Sequence, residues 1–314
     1  MFSVRFWGVR GSVACPGPDT VIYGGNTACL EIRADDRLVI VDLGSGAREL
    51  GNRLSKQAQK GAAIDADIFI THTHWDHIMG FPVFSPIFMP TTKLRIRGPV
   101  SYEDTTLEKI LSNQLSYDYW PVRLNELAAR IEFDQIGETS LDLGGGLTVT
   151  SKTLNHSILC LGYRFEYQGK SIVTAFDTEP FNNPFSAEPV DPDYDSTAAL
   201  EGEKAALEEN ALFLNFIRGA NVLIYDCMYT EKEYRASKIG WGHSSFEEAI
   251  RNARRAQVEK LVCFHHDPGR TDRQLDAIKR RYYPAAAKPP GKGARGEERP
   301  VELIVAREGS LIKA

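Results

Sequence analysis

Residues 71–80 read THTHWDHIMG, and they follow directly on the apolar run ADIFI at 66–70. Three histidines and one aspartate thus fall within positions 72–77, where a buried strand ends. His72 and His74 are two apart, so on a strand or its extension they point to one side. Asp76 and His77 follow as the chain turns away. Imidazole and carboxylate are ligands that suit zinc, manganese or iron. His72 and His74 can hold one ion, and Asp76 with His77 begins a second site beside it. One histidine beside a strand is usually a packed or hydrogen-bonded residue. The density here, and the places of the other histidines, argue for chemistry instead. His156, His265 and His266 stand at strand ends, and His243 stands just before a helix start. Asp177, in TAFDTE, ends another apolar strand, where its carboxylate can bridge two cations.

Working outward, the chain has 314 residues, 42% of them hydrophobic, and a net charge of −5, enough apolar content for one large core or two small ones. The acidic balance argues against a large nucleic-acid partner, which favours a basic face. The opening MFSVRFWGVRGS lacks the pattern of a signal peptide. No apolar run approaches the ~20 residues that span a bilayer. Cys29, Cys160, Cys227 and Cys263 lie in or beside apolar runs and Cys15 does not. This usage predicts mostly buried free thiols in a cytoplasmic protein.

Short β-branched or aromatic runs predict strands at SVRFWG, ACLEIRA, RLVIVDLG, ADIFITHTH and KLRIRG, and again at LTVTSKTLN, LGYRFEYQG, SIVTAFDTE, NVLIYDC and KLVCFHHD. VELIVAREGSLIKA closes the chain as strand, turn, strand. Helices are expected in GARELGNRLSKQA, SYEDTTLEKILSNQL, the short NELAARI, SSFEEAIRNARRAQV and TDRQLDAIKRRYY. Residues 179–210 carry nine acidic residues against one lysine and read as a loop followed by a helix over 197–219. AAAKPPGKGARGEERP reads as a mobile loop. Strands followed by helices, then a second similar round, imply a sheet sandwich flanked by helices.

HTHWDH resembles the H-x-H-x-D-H signature of the metallo-β-lactamase superfamily, and the likeness extends over nearly the whole chain. VIVDLGSG, LNHS, AFDTE and CFHHDP resemble its other site segments. The resemblance implies an α/β fold, the αβ/βα sandwich of two mixed sheets flanked by helices, formed by a single domain over residues 1–314. Carried over, His72, His74 and His156 hold one metal, Asp76, His77 and His265 the other, and Asp177 bridges. His265 is preferred over His266 because it directly ends LVCF; His266 and Asp267 then take outer roles, and Asp42 orients a ligand histidine. The implied cofactors are two divalent ions, zinc first, with manganese or iron as alternatives.

The superfamily hosts many reactions, so the motif alone names no substrate. LIYDCMYT followed by GWGHSSFEEA is similar to its phosphodiesterase side, which includes ribonuclease Z and cyclic-nucleotide phosphodiesterases. There a carboxylate and a GHS histidine form a dyad, here Asp226 and His243; aspartate departs from the glutamate usual in ribonuclease Z. Asp226, His243 and Asp76 are the expected catalytic residues, with His243 serving the leaving group. The helix after His243 starts with a capping box, from Ser244 with Glu247 or Ser245 with Glu248. Arg10 fits a phosphate contact or a surface salt bridge equally well, and Tyr117, Tyr119 and Trp120 fit either base stacking or packing. His156 and Asp177 lie too close in sequence to admit the long tRNA-clamping arm of bacterial ribonuclease Z. The expected substrate is therefore a small phosphodiester, a 3′,5′-cyclic nucleotide before any other. Alternatives are ribonuclease Z-like RNA processing, hydrolysis of a lactone, thioester or β-lactam, and a non-catalytic metal-binding sensor. A homodimer agrees with the resemblance, though no stretch marks an interface.

Overall fold

β1 (Phe2–Gly8) puts Phe2, Val4 and Phe6 on one face and Trp7 on the other, the period of two that a strand imposes. The computed structural model describes residues 1–101, 103, 105–185, 194–287 and 298–314. β2 (Cys29–Ala34) and β3 (Arg37–Val41) form a hairpin, and α1 (Ala47–Ala58) lays Ala47, Leu50 and Leu54 on the sheet's outer face. β4 (Ile64–Phe69) runs into the single turn α2 (Trp75–Ile78). β5 (Thr92–Pro99), α3 (Leu107–Asn113) and β6 (Arg130–Ile136) complete the first half.

β7 (Ser140–Asp142), β8 (Leu147–Leu154), β9 (Cys160–Tyr167) and β10 (Lys170–Ala175) follow as an antiparallel meander. Then come α4 (Ser196–Ile217), β11 (Val222–Asp226), α5 (Glu231–Ser237), α6 (Phe246–Arg255), β12 (Lys260–Phe264), α7 (Asp272–Ala287), β13 (Glu302–Val305) and β14 (Leu311–Lys313). Among the described residues the strands make two seven-stranded sheets, ordered β14-β1-β2-β3-β4-β5-β6 and β13-β12-β11-β10-β9-β8-β7. Each sheet is antiparallel at one end and parallel at the other, from β3 to β6 and from β10 to β13.

The inner faces share one core, in which Phe6, Val41 and Phe69 of the first sheet meet Phe165, Ile224 and Phe264 of the second. The outer faces carry the helices, α1 and α3 on the first sheet and α4, α6 and α7 on the second. This is the predicted sandwich.

Three local expectations change. NELAARI is not a helix: a 3-10 turn at Leu124–Glu126 leads into edge strand β6, whose Ile131 and Phe133 pack inward while Glu132 and Asp134 stay exposed. The helix expected from SYEDTTLEKILSNQL begins only at Leu107, where the Thr106 hydroxyl accepts from Lys109 N. Of the two capping alternatives, Ser245 caps α6, accepting from Glu248 N; the Ser244 hydroxyl donates to Thr178 O instead. The loop expected over 285–300 begins as helix, since α7 runs to Ala287; residues 288–297 and part of the acidic stretch lie outside the described residues. Cys29, Cys160, Cys227 and Cys263 are buried free thiols, as their apolar surroundings predict. Among the described residues, no helix is long and apolar enough to cross a membrane.

Candidate active site

The parallel strands of both sheets end on one edge, and the chemistry-bearing residues stand just past those ends. Asp42 follows β3, His72 and His74 follow β4, His156 follows β8, Asp177 follows β10, and His265 follows β12, while Asp226 is the last residue of β11. Asp42, Asp177 and His265 have φ of 60°, 58° and 60°. Non-glycine residues seldom hold this left-handed conformation, and it recurs at functional sites. Here it swings three side chains off their strands toward a common point.

Two clusters form there. In one, Nδ1 of His74 lies 2.9 Å from His72 Nε2 and 3.1 Å from His156 Nε2. In the other, Asp76 Oδ2 is 3.2 Å from both His77 Nε2 and His265 Nε2. Asp177 stands between them: Oδ1 lies 3.3 Å from His77 Nε2 and 3.2 Å from His265 Nε2, and Oδ2 lies 3.7 Å from His72 Nε2 and 3.9 Å from His156 Nε2. His77 Nε2 and Asp177 Oδ1 are buried and make no hydrogen bond. Buried lone pairs that converge without pairing mutually are costly unless a cation satisfies them. The donor set, imidazole nitrogens plus two carboxylates, therefore fits two divalent cations.

The surrounding contacts orient these side chains. Asp42 Oδ2 sits 2.7 Å from His77 Nδ1, and Asp42 also accepts from Thr71 N and Thr71 Oγ1. Thr71 Oγ1 lies 3.1 Å from His72 Nδ1, so one threonine links the two histidine groups. His156 Nδ1 donates to Gly242 O at 3.0 Å, which leaves Nε2 for the cluster. Ser12 N donates to Asp76 Oδ2 at 2.7 Å. Outer contacts of this kind fix tautomer and ring direction.

Burial lowers the pKa of His72 and His74, and it brings His156 down to about 4, so these rings stay neutral as ligation requires. At His77 burial also opposes charge, but Asp177, Asp76 and Asp42 outweigh it and raise the pKa well above the usual range. The carboxylates that favour a proton there favour a divalent cation in its place.

Asp226 and His243 adjoin the second cluster. His243 Nδ1 is 2.8 Å from Asp226 Oδ2, and its ring stacks on His265 with centroids 5.0 Å apart. Burial opposes charge on His243, yet Asp226 overcomes it and lifts the pKa to about 9. The imidazolium is thus the form present at neutral pH, lost as pH rises through that value. Asp226 also accepts from the backbone N–H groups of Asp177, Met228 and Ser244, which ties the dyad to the aspartate between the two clusters.

The structure brings His265 to the cluster and turns His266 away: His266 Nε2 donates to Ala306 O, and its ring meets Tyr23 edge-on. Asp267 accepts from Gly269 N. Arg10 is a correction. It is 0% exposed, with Nε donating to Gly24 O and Nη1 to Asp267 O and Arg270 O, so it meets neither a phosphate nor solvent. It fastens the first loop to the segment after His266. Arg10→Met should therefore cost about 2–4 kcal/mol of stability in denaturant titration, by leaving buried carbonyls unpaired, with little change in KM.

Tyr117 donates to Glu126 and lies under Arg123, Trp120 packs on the first sheet's outer core, and Tyr119 is 80% exposed. None of the three makes a described hydrogen bond or ring contact to the His–Asp clusters. Sequence reasoning missed Glu179, a buried carboxylate two residues past Asp177, which accepts from Gly240 N, Gly242 N and Tyr234 Oη. Its place two residues after Asp177 was the available signal.

Residues 22–183 match the family model described as metallo-beta-lactamase superfamily. The chain belongs to that superfamily, and it is accordingly one of its hydrolases. It is 28% identical over 293 residues to a ribonuclease Z of Thermoplasma volcanium, covering 86% of this chain and 88% of the relative. Among solved structures, it is similar to the metallo-beta-lactamase fold protein YhfI from Bacillus subtilis, with TM-score 0.60 and 17% identity over 100% of this chain and 99% of that one. It also resembles a diphosphatase of the PhnP family, with TM-score 0.58 and 13% identity over 100% and 98% of the two chains. At such identities the solved structures attest the superfamily's fold alone.

Proposed function

We propose that the chain, a single superfamily domain over residues 1–314, is a two-metal phosphodiesterase acting on a small nucleotide phosphodiester, a 3′,5′-cyclic nucleotide before any other. The observation that carries this reading is the Asp226–His243 dyad against the clusters: a ring nitrogen of His243 lies within 4.8 Å of ligand atoms of both His156 and Asp177. Hydrolysis of a lactone or thioester gives that dyad no evident task.

His72, His74, His156, Asp177, Asp76, His77 and His265 would hold two divalent ions, zinc in the first instance and manganese or iron otherwise, which would neutralise phosphate oxygens and lower the pKa of water. Asp177, through its two oxygens, fixes the separation of the two groups. His243, charged and held by Asp226, donates a proton to the leaving oxygen. Asp226 keeps that ring in one orientation and, through Asp177 N, in register with the ligands.

A compact substrate is supported by the acidic chain and by the turn at Gln168–Gly169, which joins β9 to β10 directly and leaves no arm between His156 and Asp177. A second reading, ribonuclease Z-like RNA processing, is favoured by the Thermoplasma volcanium relative, which spans nearly the same length. Specificity constants for cyclic AMP, cyclic GMP, pyrimidine cyclic nucleotides, cyclic dinucleotides and precursor tRNA decide between them. The expected order places a cyclic mononucleotide first. Efficient cleavage of precursor tRNA with no turnover of any cyclic mononucleotide would overturn the small-substrate reading and leave the second.

A further inference from the structure

Trp241 stands two residues before His243 and is 57% exposed. A single exposed aromatic is ordinary on a protein surface. What sets this one apart is the loop that carries it. Glu179, 8% exposed, accepts from Gly242 N through Oε1 and from Gly240 N and Tyr234 Oη through Oε2. Gly240 and Gly242 have φ of 83° and 77°, a region open to glycine. A Cβ on Gly242 would come within 2.2 Å of His156 Nδ1, so the backbone is seated against a ligand histidine. Trp241 N donates to Lys238 O, and the Lys238 ammonium lies 3.5 Å from the centre of the indole ring. The loop therefore holds an exposed indole with the Lys238 ammonium over one of its faces, next in sequence to Gly242, whose carbonyl orients His156.

Resting on the phosphodiesterase reading above, we infer that Trp241 forms a nucleobase subsite: the indole face away from Lys238 stacks on a base of the substrate whose phosphate lies at the His–Asp clusters. Tyr119 and Trp120 are not required for this role. The ligand chemistry is a base attached to a sugar phosphate, whether from a mononucleotide or from the end of an RNA. Stacking on aromatics tolerates any base.

The test compares binding of AMP and ribose 5-phosphate to the metal-loaded full chain by calorimetry, which needs no turnover. AMP is expected to bind about tenfold more tightly than ribose 5-phosphate, the scale of one stacked base. Trp241→Leu should bring the two close to parity, and Trp241→Phe should keep most of the preference. Equal binding in the wild type, or a preference that survives Trp241→Leu, would overturn the subsite. Repeating the Trp241→Leu comparison with cyclic AMP and with a short oligoribonucleotide identifies the source, since loss in either supports the subsite and loss in neither refutes it. A base preference in a protein that turns over no phosphodiester would instead count against the chemistry proposed above and leave the subsite standing.

Discussion

His243→Ala is expected to retain its full metal content and to lose 10²–10⁴-fold in kcat on a phosphodiester whose leaving group is an alkoxide. His243 contacts Asp226 through Nδ1 and stacks on His265, while seven other side chains supply the convergent ligand atoms, so its removal leaves the clusters whole. An alkoxide needs a proton to depart, and the charged imidazole beside Asp226 is the group placed to give one. A 4-nitrophenolate leaves without protonation, so the same variant should lose less than about tenfold on a nitrophenyl ester. Equal losses on both esters, with metal content unchanged, would assign His243 another task. Asp226→Asn should lower turnover likewise, because an amide oxygen in place of Oδ1 still accepts from Met228 N and Ser244 N, whereas an NH2 in place of Oδ2 neither holds the imidazolium nor accepts from Asp177 N.

Asp177→Ala has the second large effect. Its carboxylate reaches His72 and His156 on one side and His77 and His265 on the other, so no other described side chain serves both clusters in the same way. Loss of an outer contact to a ligand costs 10–100-fold in metal affinity or activity, and loss of a shared ligand should exceed about a hundredfold in kcat/KM. A binding cation stabilises the folded state by mass action. Added zinc should therefore raise the melting temperature of the wild type more than that of Asp177→Ala. An equal rise in both would remove Asp177 from the metal site.

The sandwich, and the convergence of the candidate ligands at strand ends, were legible in the sequence because both follow from local patterns. Apolar runs marked the strands, and each polar ligand interrupts or follows such a run, as Asp177 follows IVTAF and His265 follows LVCF. His265 was preferred over His266 because it directly ends LVCF, and the structure turns His265 to the cluster and His266 to Ala306 O. What escaped the sequence depends on partners far along the chain. Arg10 reads as a surface cation until Gly24, Asp267 and Arg270 supply carbonyls to it. Glu179 lies within an acidic stretch, and only folding sets it against Gly240 and Gly242. β6 was missed because Leu127 and Ile131 have helical spacing, while pairing with β5 decides its conformation.

The central claim is that two cations share Asp177 at the edge of the sandwich. Elemental analysis of the purified wild type, saturated with zinc and freed of unbound metal, tests it most directly. Two ions per chain are expected. At most one ion per chain, even with metal in excess, would contradict the account.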